Sequence, residues 1–210
     1  MKAGVGAPAL SRWRPSPRRA VMLVVGLWVF GTGEGLLVLT GLGNSPWAVF
    51  AQGLGRLLGL SVGVVTNIVG ALLLLLWFPL RQRPGLGTLA NVALLGTAMD
   101  VVLDVLPTPG NLVVRVLVTI SGIALVGVGS GLYLGAALGP GPRDGLMTGL
   151  HRVTGLPILV VRGAIEIAVL VVGFALGGTS GVGTVAFAVL VGPAVGLFVR
   201  TFSLVPSSEL

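Results

Sequence analysis

Residues 35–60 read GLLVLTGLGNSPWAVFAQGLGRLLGL, and residues 131–156 read GLYLGAALGPGPRDGLMTGLHRVTGL. Slid on itself by 96 residues, the chain brings these stretches into one ungapped register. Gly35-Leu36 falls on Gly131-Leu132, Leu42-Gly43 on Leu138-Gly139, Pro46 on Pro142, Gly53-Leu54 on Gly149-Leu150, Arg56 on Arg152 and Gly59-Leu60 on Gly155-Leu156. The register continues through Phe78 and Phe174, through Gly85-x-Gly87-Thr88 and Gly181-x-Gly183-Thr184, and on to Gly96 and Gly192. A chain with 35 glycines produces scattered coincidences. Pro, Arg, Phe and Thr held in one register indicate a duplicated structural unit.

The surroundings of the repeat are those of a membrane protein. Apolar residues make up 54% of the chain, charged residues 9%, and mean hydropathy is +1.05, against roughly 25% charged in soluble domains. Spanning a hydrocarbon core about 30 Å thick takes about 20 mostly apolar residues in helix. Six stretches qualify, at about 20–42, 61–80, 86–106, 112–137, 157–177 and 183–200. The first follows a basic segment containing Arg18 and Arg19, as a signal peptide would, but continues to about Leu42 with no small-x-small cleavage site, so it reads as a span. Residues 1–19 are expected to form a disordered cytoplasmic tail, 20–106 and 112–204 the two membrane repeats, and 205–210 a second cytoplasmic tail.

Two shorter segments, Ser45 to Leu58 and Gly141 to Thr154, open with Pro46 and Pro142. Proline in the first turn is a helix start signal. At 1.5 Å per residue each helix reaches roughly 20 Å, too short to span comfortably, so each is a re-entrant half-helix or lies in the interface. Three spans per repeat is an odd number, so the second copy enters from the opposite side and the halves are expected to be related by a two-fold axis in the membrane plane. With the N-terminus inside, Arg81, Arg83, Arg143, Arg152 and Arg200 fall on the cytoplasmic side and only Arg56 and Arg115 outside, as the positive-inside rule requires. If the short segments did span, there would be eight helices in a parallel repeat. The expected class is therefore an all-α membrane protein of about six transmembrane helices in two inverted three-helix repeats, each with a proline-started half-helix.

The net charge of +7 does not point to nucleic acid, because five of the thirteen basic residues (Lys2, Arg12, Arg14, Arg18 and Arg19) precede the first apolar run, where they act as a topology signal. Cysteine is absent, which excludes a disulfide framework, a thiol nucleophile and cysteine-ligated metal. His151 is the sole histidine, so a histidine metal site or triad has little to build on. The Gly-x-Gly-Thr turns lack the Lys-Ser/Thr ending of a nucleotide loop. No cofactor, metal or enzymatic activity is expected.

Ionisable groups within the hydrocarbon are costly and need partners, water or a function. Glu34, Asp100, Arg162 and Glu166 stand out. Arg162 and Glu166 lie four residues apart and share a helix face, either as a packing ion pair or as part of a polar pathway. Glu34, beside Gly31, Gly33 and Gly35, is a candidate to take up and release a proton, or else bonds across helices. Asp104 is expected to form a loop-proximal salt bridge with Arg115. Thr66 and Asn67 either line a pathway or bond to a neighbouring helix. If Pro46 and Pro142 start half-helices aimed at the midplane, their partially positive ends, with Ser45, Arg143 and Asp144, would shape a site for a small polar or anionic substrate. The alternative is that Arg56, His151 and Arg152 hold both segments at head-group level.

The string Gly141-Pro142-Arg143-Asp144-Gly145-Leu146-Met147, with Arg152, Thr154-Gly155, Val161-Arg162 and Glu166, resembles the YczE/YyaS/YitT group of bacterial membrane proteins. Gly43-x-Ser45-Pro46-Trp47, Gly85-x-Gly87-Thr88 and Asp100 follow the same group's pattern, so the resemblance covers about 20–200. It implies an architecture and a membrane location, with no established substrate or reaction. The functional expectation is a small secondary transporter or channel-like carrier in a bacterial cytoplasmic membrane, multi-pass, with both termini inside. The bilayer is its one assured partner. The alternatives are a non-transporting membrane partner of another protein and a substrate-binding membrane subunit of an energy-coupled importer.

Overall fold

The computed structural model describes residues 11–202, which form eight α-helices and no strand among them. They are α1 (Pro17–Thr40), α2 (Pro46–Leu58), α3 (Val62–Trp77), α4 (Leu86–Val105), α5 (Leu112–Gly135), α6 (Pro142–Thr154), α7 (Ile158–Ala175) and α8 (Val182–Phe202). Within hydrocarbon every backbone N–H and C=O must be satisfied inside its own segment, which leaves apolar runs of this length only the helix. Five helices (α1, α4, α5, α7 and α8) are long and apolar enough to cross a membrane, and α2 with α3, bent by 108°, makes a sixth unit. The chain is a multi-pass membrane protein.

Helix boundaries follow the local chemistry. Ser45 accepts a hydrogen bond from Ala48 N at 3.3 Å, Ser61 from Val64 N at 3.2 Å and Asn111 from Val113 N at 2.7 Å, each supplying a partner to an N–H group with none in its own helix. Both short helices stop at a glycine in the left-handed region, Gly59 (φ 68°) and Gly155 (φ 69°), where a Cβ would be strained. Both also run outward: their first turns at Pro46-Trp47-Ala48 and Pro142 are buried, and their ends from Arg56 and from His151 are exposed. Helix α1 begins at Pro17, three residues inside the expected tail, and Arg12 O accepts from Leu86 N at 3.1 Å. Residues 1–10 of that tail and the expected tail at 205–210 lie outside the described residues.

Contacts between the halves come in pairs separated by the 96-residue offset. Gly87 N donates to Leu138 O at 2.8 Å, and Gly183 N donates to Leu42 O at 2.9 Å. Arg19 Nε donates to Ala136 O at 2.8 Å, and Arg115 Nε donates to Thr40 O at 2.6 Å. Arg56 donates to Gly177 O, and Arg152 donates to Arg81 O at 3.3 Å. Each partner in the first half is thus exchanged for its equivalent in the second. At the centre α1 packs along α5, with Gly26 against Gly129 and Gly33 against Gly122. Numbers rise along one helix as they fall along the other, so these two equivalent helices are antiparallel.

The expected Asp104–Arg115 salt bridge is not formed. Arg115 turns instead to the C-terminal carbonyl of α1 at Thr40, where a cation satisfies an unpaired oxygen and meets the negative end of the helix dipole, and Asp104 is exposed. Asn67 bonds across to α4, accepting from Gly96 N at 2.9 Å and donating to Ala93 O at 3.3 Å.

Candidate functional site

The buried starts of α2 and α6 meet at a cavity of about 150 Å³, walled by α1, α4, α5, α7 and α8. Of the nine residues singled out from the sequence, eight line it: Glu34, Ser45, Pro46, Pro142, Arg143, Asp144, Arg162 and Glu166.

Ser45 does two things there. As N-cap of α2 its Oγ accepts from Ala48 N, and it lies 2.6 Å from Glu34 Oε2 on α1, to which its hydroxyl donates. Glu34 is 2% exposed, so that hydroxyl is its one protein hydrogen-bond donor among the described residues. On the other side Gly141 is the N-cap of α6 and has no side chain to offer. Asp144 sits in the first turn of α6, where the helix dipole favours an anion, and its Oδ2 accepts from Tyr133 OH on α5 at 2.6 Å. Trp77 Nε1 donates to Pro142 O at 3.0 Å and fixes the entry into α6.

Arg143 differs from its neighbours. Its guanidinium carbon lies 5.0 Å from the ring centroid of Trp47, a cation–π arrangement. Among the described residues no group accepts a hydrogen bond from it, so up to five N–H donors face the cavity without a protein acceptor. Arg143 is half-buried, whereas Trp47 Nε1 is fully buried without a partner, in a residue 7% exposed. Buried donors of this kind carry a desolvation cost unless something accepts from them. The three acids, in contrast, are each held: Glu34 by Ser45, Asp144 by Tyr133, and Glu166 by Arg162 at 2.9 Å, the one ion pair among the described residues. The cavity therefore holds unpaired donors on Arg143 and Trp47 beside the second carboxylate oxygens of Glu34 and Asp144, which accept from no protein group among the described residues.

Asp100 stands apart from the cavity. Its Oδ1 accepts from Gly63 N at 2.8 Å, and its Oδ2 accepts from Ser61 Oγ at 2.6 Å and Val64 N at 3.1 Å, so it caps α3 from α4. An acid in an apolar helix is a signal that does not separate a capping carboxylate from one facing a pathway. Tyr133, Asn91 and Ser130 line the cavity and were not anticipated. Tyr133 is the sole tyrosine of the chain, but nothing in the sequence spacing aims it at Asp144. Among the described residues no group of three His, Cys, Asp or Glu side chains could hold a metal ion.

Comparison with known proteins agrees with a membrane fold of this kind. An uncharacterised protein of Haemophilus influenzae is 38% identical over 94% of this chain and 91% of its own length. The uncharacterised membrane protein YczE of Bacillus subtilis is 35% identical over 80% of this chain and 77% of its own. YyaS of the same organism, also uncharacterised, is 27% identical over 76% and 82%. No solved structure matches. The model of a family of unknown function, DUF6198, matches residues 17–200, from the first turn of α1 almost to the end of α8, and the chain belongs to that family.

Proposed function

We propose that the chain is a small secondary transporter or channel-like carrier that binds a polar or anionic solute in the cavity between its halves. The observation that carries this reading is the meeting of two buried helix starts around Arg143, whose guanidinium has no protein acceptor, among Glu34, Asp144, Arg162 and Glu166. Ionisable side chains gathered around a hollow among spanning helices mark substrate and ion pathways.

The exchanged contacts at the 96-residue offset, and the antiparallel run of α1 and α5, support a two-fold axis in the membrane plane relating two inverted repeats. Trp47 and Arg143 are equivalent positions that touch, so that axis passes through the cavity. A solute there lies at the one place which motion of one half against the other exposes to either face in turn. Arg143 is the anion ligand and Glu34 the proton-exchanging group. Arg162 with Glu166 forms the wall on the α7 side. No catalytic role is assigned. The basic residues before α1, and relatives from two bacteria, support a bacterial cytoplasmic membrane with both termini inside.

Uptake of a panel of radiolabelled small carboxylates and phosphate into sealed vesicles tests the reading. Uptake above protein-free vesicles that falls in Glu34→Gln and Glu166→Gln supports it. Uptake indistinguishable from protein-free vesicles across the panel removes transport, and uptake unchanged in both variants removes their assigned roles.

A further inference from the structure

The two halves are equivalent in sequence register but not at one interface. Helix α3 packs closely on α4, whereas the equivalent helices α7 and α8 barely touch. The α3–α4 contact is made by Gly63 and Gly96, each so near the other's carbonyl that a Cβ on either would collide with it, by Asn67 bonding to Gly96 and Thr97, and by Asp100 capping α3. In the second half Gly63 is replaced by Leu159, Asn67 by Gly163, Thr97 by Pro193 and Asp100 by Gly196, and only Gly96 keeps its equivalent, Gly192. Added Cβ atoms at Gly163, Gly192 and Gly196 meet nothing within 4 Å, and Leu159 is 79% exposed. Pro193 lies within α8, where a proline removes a backbone hydrogen bond and bends the helix. Every polar tie between the two helices is missing, and a seam stands open between them.

The cavity reaches this seam. Its α7 wall is Arg162 and Glu166, and its α8 wall is Phe187, Val191 and Val195. The Arg162 side chain is 49% exposed and that of Glu166 30%, so the ion pair stands at the opening and not behind it. A side entrance between two spanning helices faces hydrocarbon, not water. Water-soluble ions do not approach from there, whereas a molecule with an anionic head and an apolar chain does.

We propose that the ligand of this cavity is a single-chain amphiphile with a carboxylate or phosphate head, which enters from the bilayer between α7 and α8. The head accepts from Arg143 and from Trp47 Nε1–H, passing Arg162 on the way, and the chain stays in the seam along Leu159, Gly163 and Gly192. About 150 Å³ is on the order of the space that holds a benzene-sized group. It therefore takes a compact head and not a glycerol-bearing one. This assignment rests on the cavity being a binding site, but it does not require that the ligand be carried across.

The full chain in phosphatidylcholine vesicles is irradiated with palmitate carrying a mid-chain diazirine, and adducts are mapped by peptide mass spectrometry. Adducts concentrate on α7 and α8 at the seam. They fall about tenfold in Arg143→Gln, as loss of charge-assisted hydrogen bonds supports. They fall similarly in Leu159→Gly/Gly163→Asn/Gly196→Asp, which rebuilds the α3–α4 chemistry in the second half. Gly192→Leu, whose Cβ enters open space, blocks the seam by a different route and lowers the same adducts. Adducts unchanged in Arg143→Gln or in Gly192→Leu, adducts spread evenly over all outer helix faces, or cross-links from seam cysteines to a second copy of the chain each overturn the proposal. Arg143-dependent labelling with no uptake of any solute removes transport and leaves this site. Uptake of soluble carboxylates without seam labelling does the reverse.

Discussion

The guanidinium carbon of Arg143 lies 5.0 Å from the centre of the Trp47 ring, and the two residues occupy the same position in the two halves of the chain. One half supplies a cation at the start of its short helix, and the other supplies the aromatic face on which that cation rests. The junction of the two short helices is therefore asymmetric at this pair. If Arg143 is the ligand group, Arg143→Gln weakens binding of a small carboxylate such as benzoate by roughly 10- to 100-fold, the equivalent of charged hydrogen bonds worth about 1.5–3 kcal/mol. Arg143→Lys restores only part of it, because an ammonium lacks the planar fork. Calorimetric titration of the purified protein measures both.

Arg19 and Arg115 tie the C-terminal ends of α5 and α1 to the opposite half. Arg19 is 5% exposed and donates to both Ala136 O and Ala137 O at 2.8 Å. Its replacement by alanine leaves two helix-end carbonyls without partners and lowers stability by about 2–3 kcal/mol. Arg115→Ala, which loses one such bond, costs less. Thermal unfolding in detergent, followed by circular dichroism, ranks the two.

The interface between α3 and α4 and its open counterpart respond oppositely to the same small change. Gly63→Ala forces a methyl group into the carbonyl of Gly96 and destabilises by about 1–3 kcal/mol, as overpacking does. Gly163→Ala and Gly192→Ala enter open space and are neutral or, through helix propensity, stabilising by up to about 1 kcal/mol. Equal losses at all three positions would mean that α7 and α8 are packed together in the bilayer.

Membrane topology separates the inverted arrangement from the parallel one. Native cysteine is absent, so Arg56→Cys and Arg152→Cys each carry a single thiol. Inverted halves place the two on opposite faces, and a membrane-impermeant maleimide added to intact and to opened cells labels one from outside and the other only from inside. Labelling of both from one side would contradict the two-fold reading.

Much of the fold was legible because bilayer length, glycine and proline punctuation and the 96-residue register all act locally along the chain. The six apolar runs and the two short helices appear within a few residues of their expected bounds. The site was legible in part for the same reason: charges in apolar surroundings, and residues at helix starts, are visible without knowing which helices meet. What could not be read depends on meeting. Asp100 and Glu34 look alike in sequence, yet one faces the N-terminus of α3 and the other the cavity. Arg19 and Arg115 sit in the repeat register, but their carbonyl acceptors have no side-chain signature. The seam is written in four substitutions between the halves, Gly63 to Leu159, Asn67 to Gly163, Thr97 to Pro193 and Asp100 to Gly196. They carry meaning only once α3 is known to pack on α4.

The central claim, that the cavity is a solute site opened in turn to either side of the membrane, is tested most directly at Ser130, a small buried residue in its wall. Ser130→Cys, nearly isosteric in a chain with no other thiol, is probed in sealed vesicles with a small membrane-impermeant thiol reagent from each face separately. The account predicts labelling from both faces, slowed by a carboxylate on the same side. Labelling from neither face, or from one face only and indifferent to solute, would mean that the cavity does not open to water on both sides of the membrane and would contradict the account.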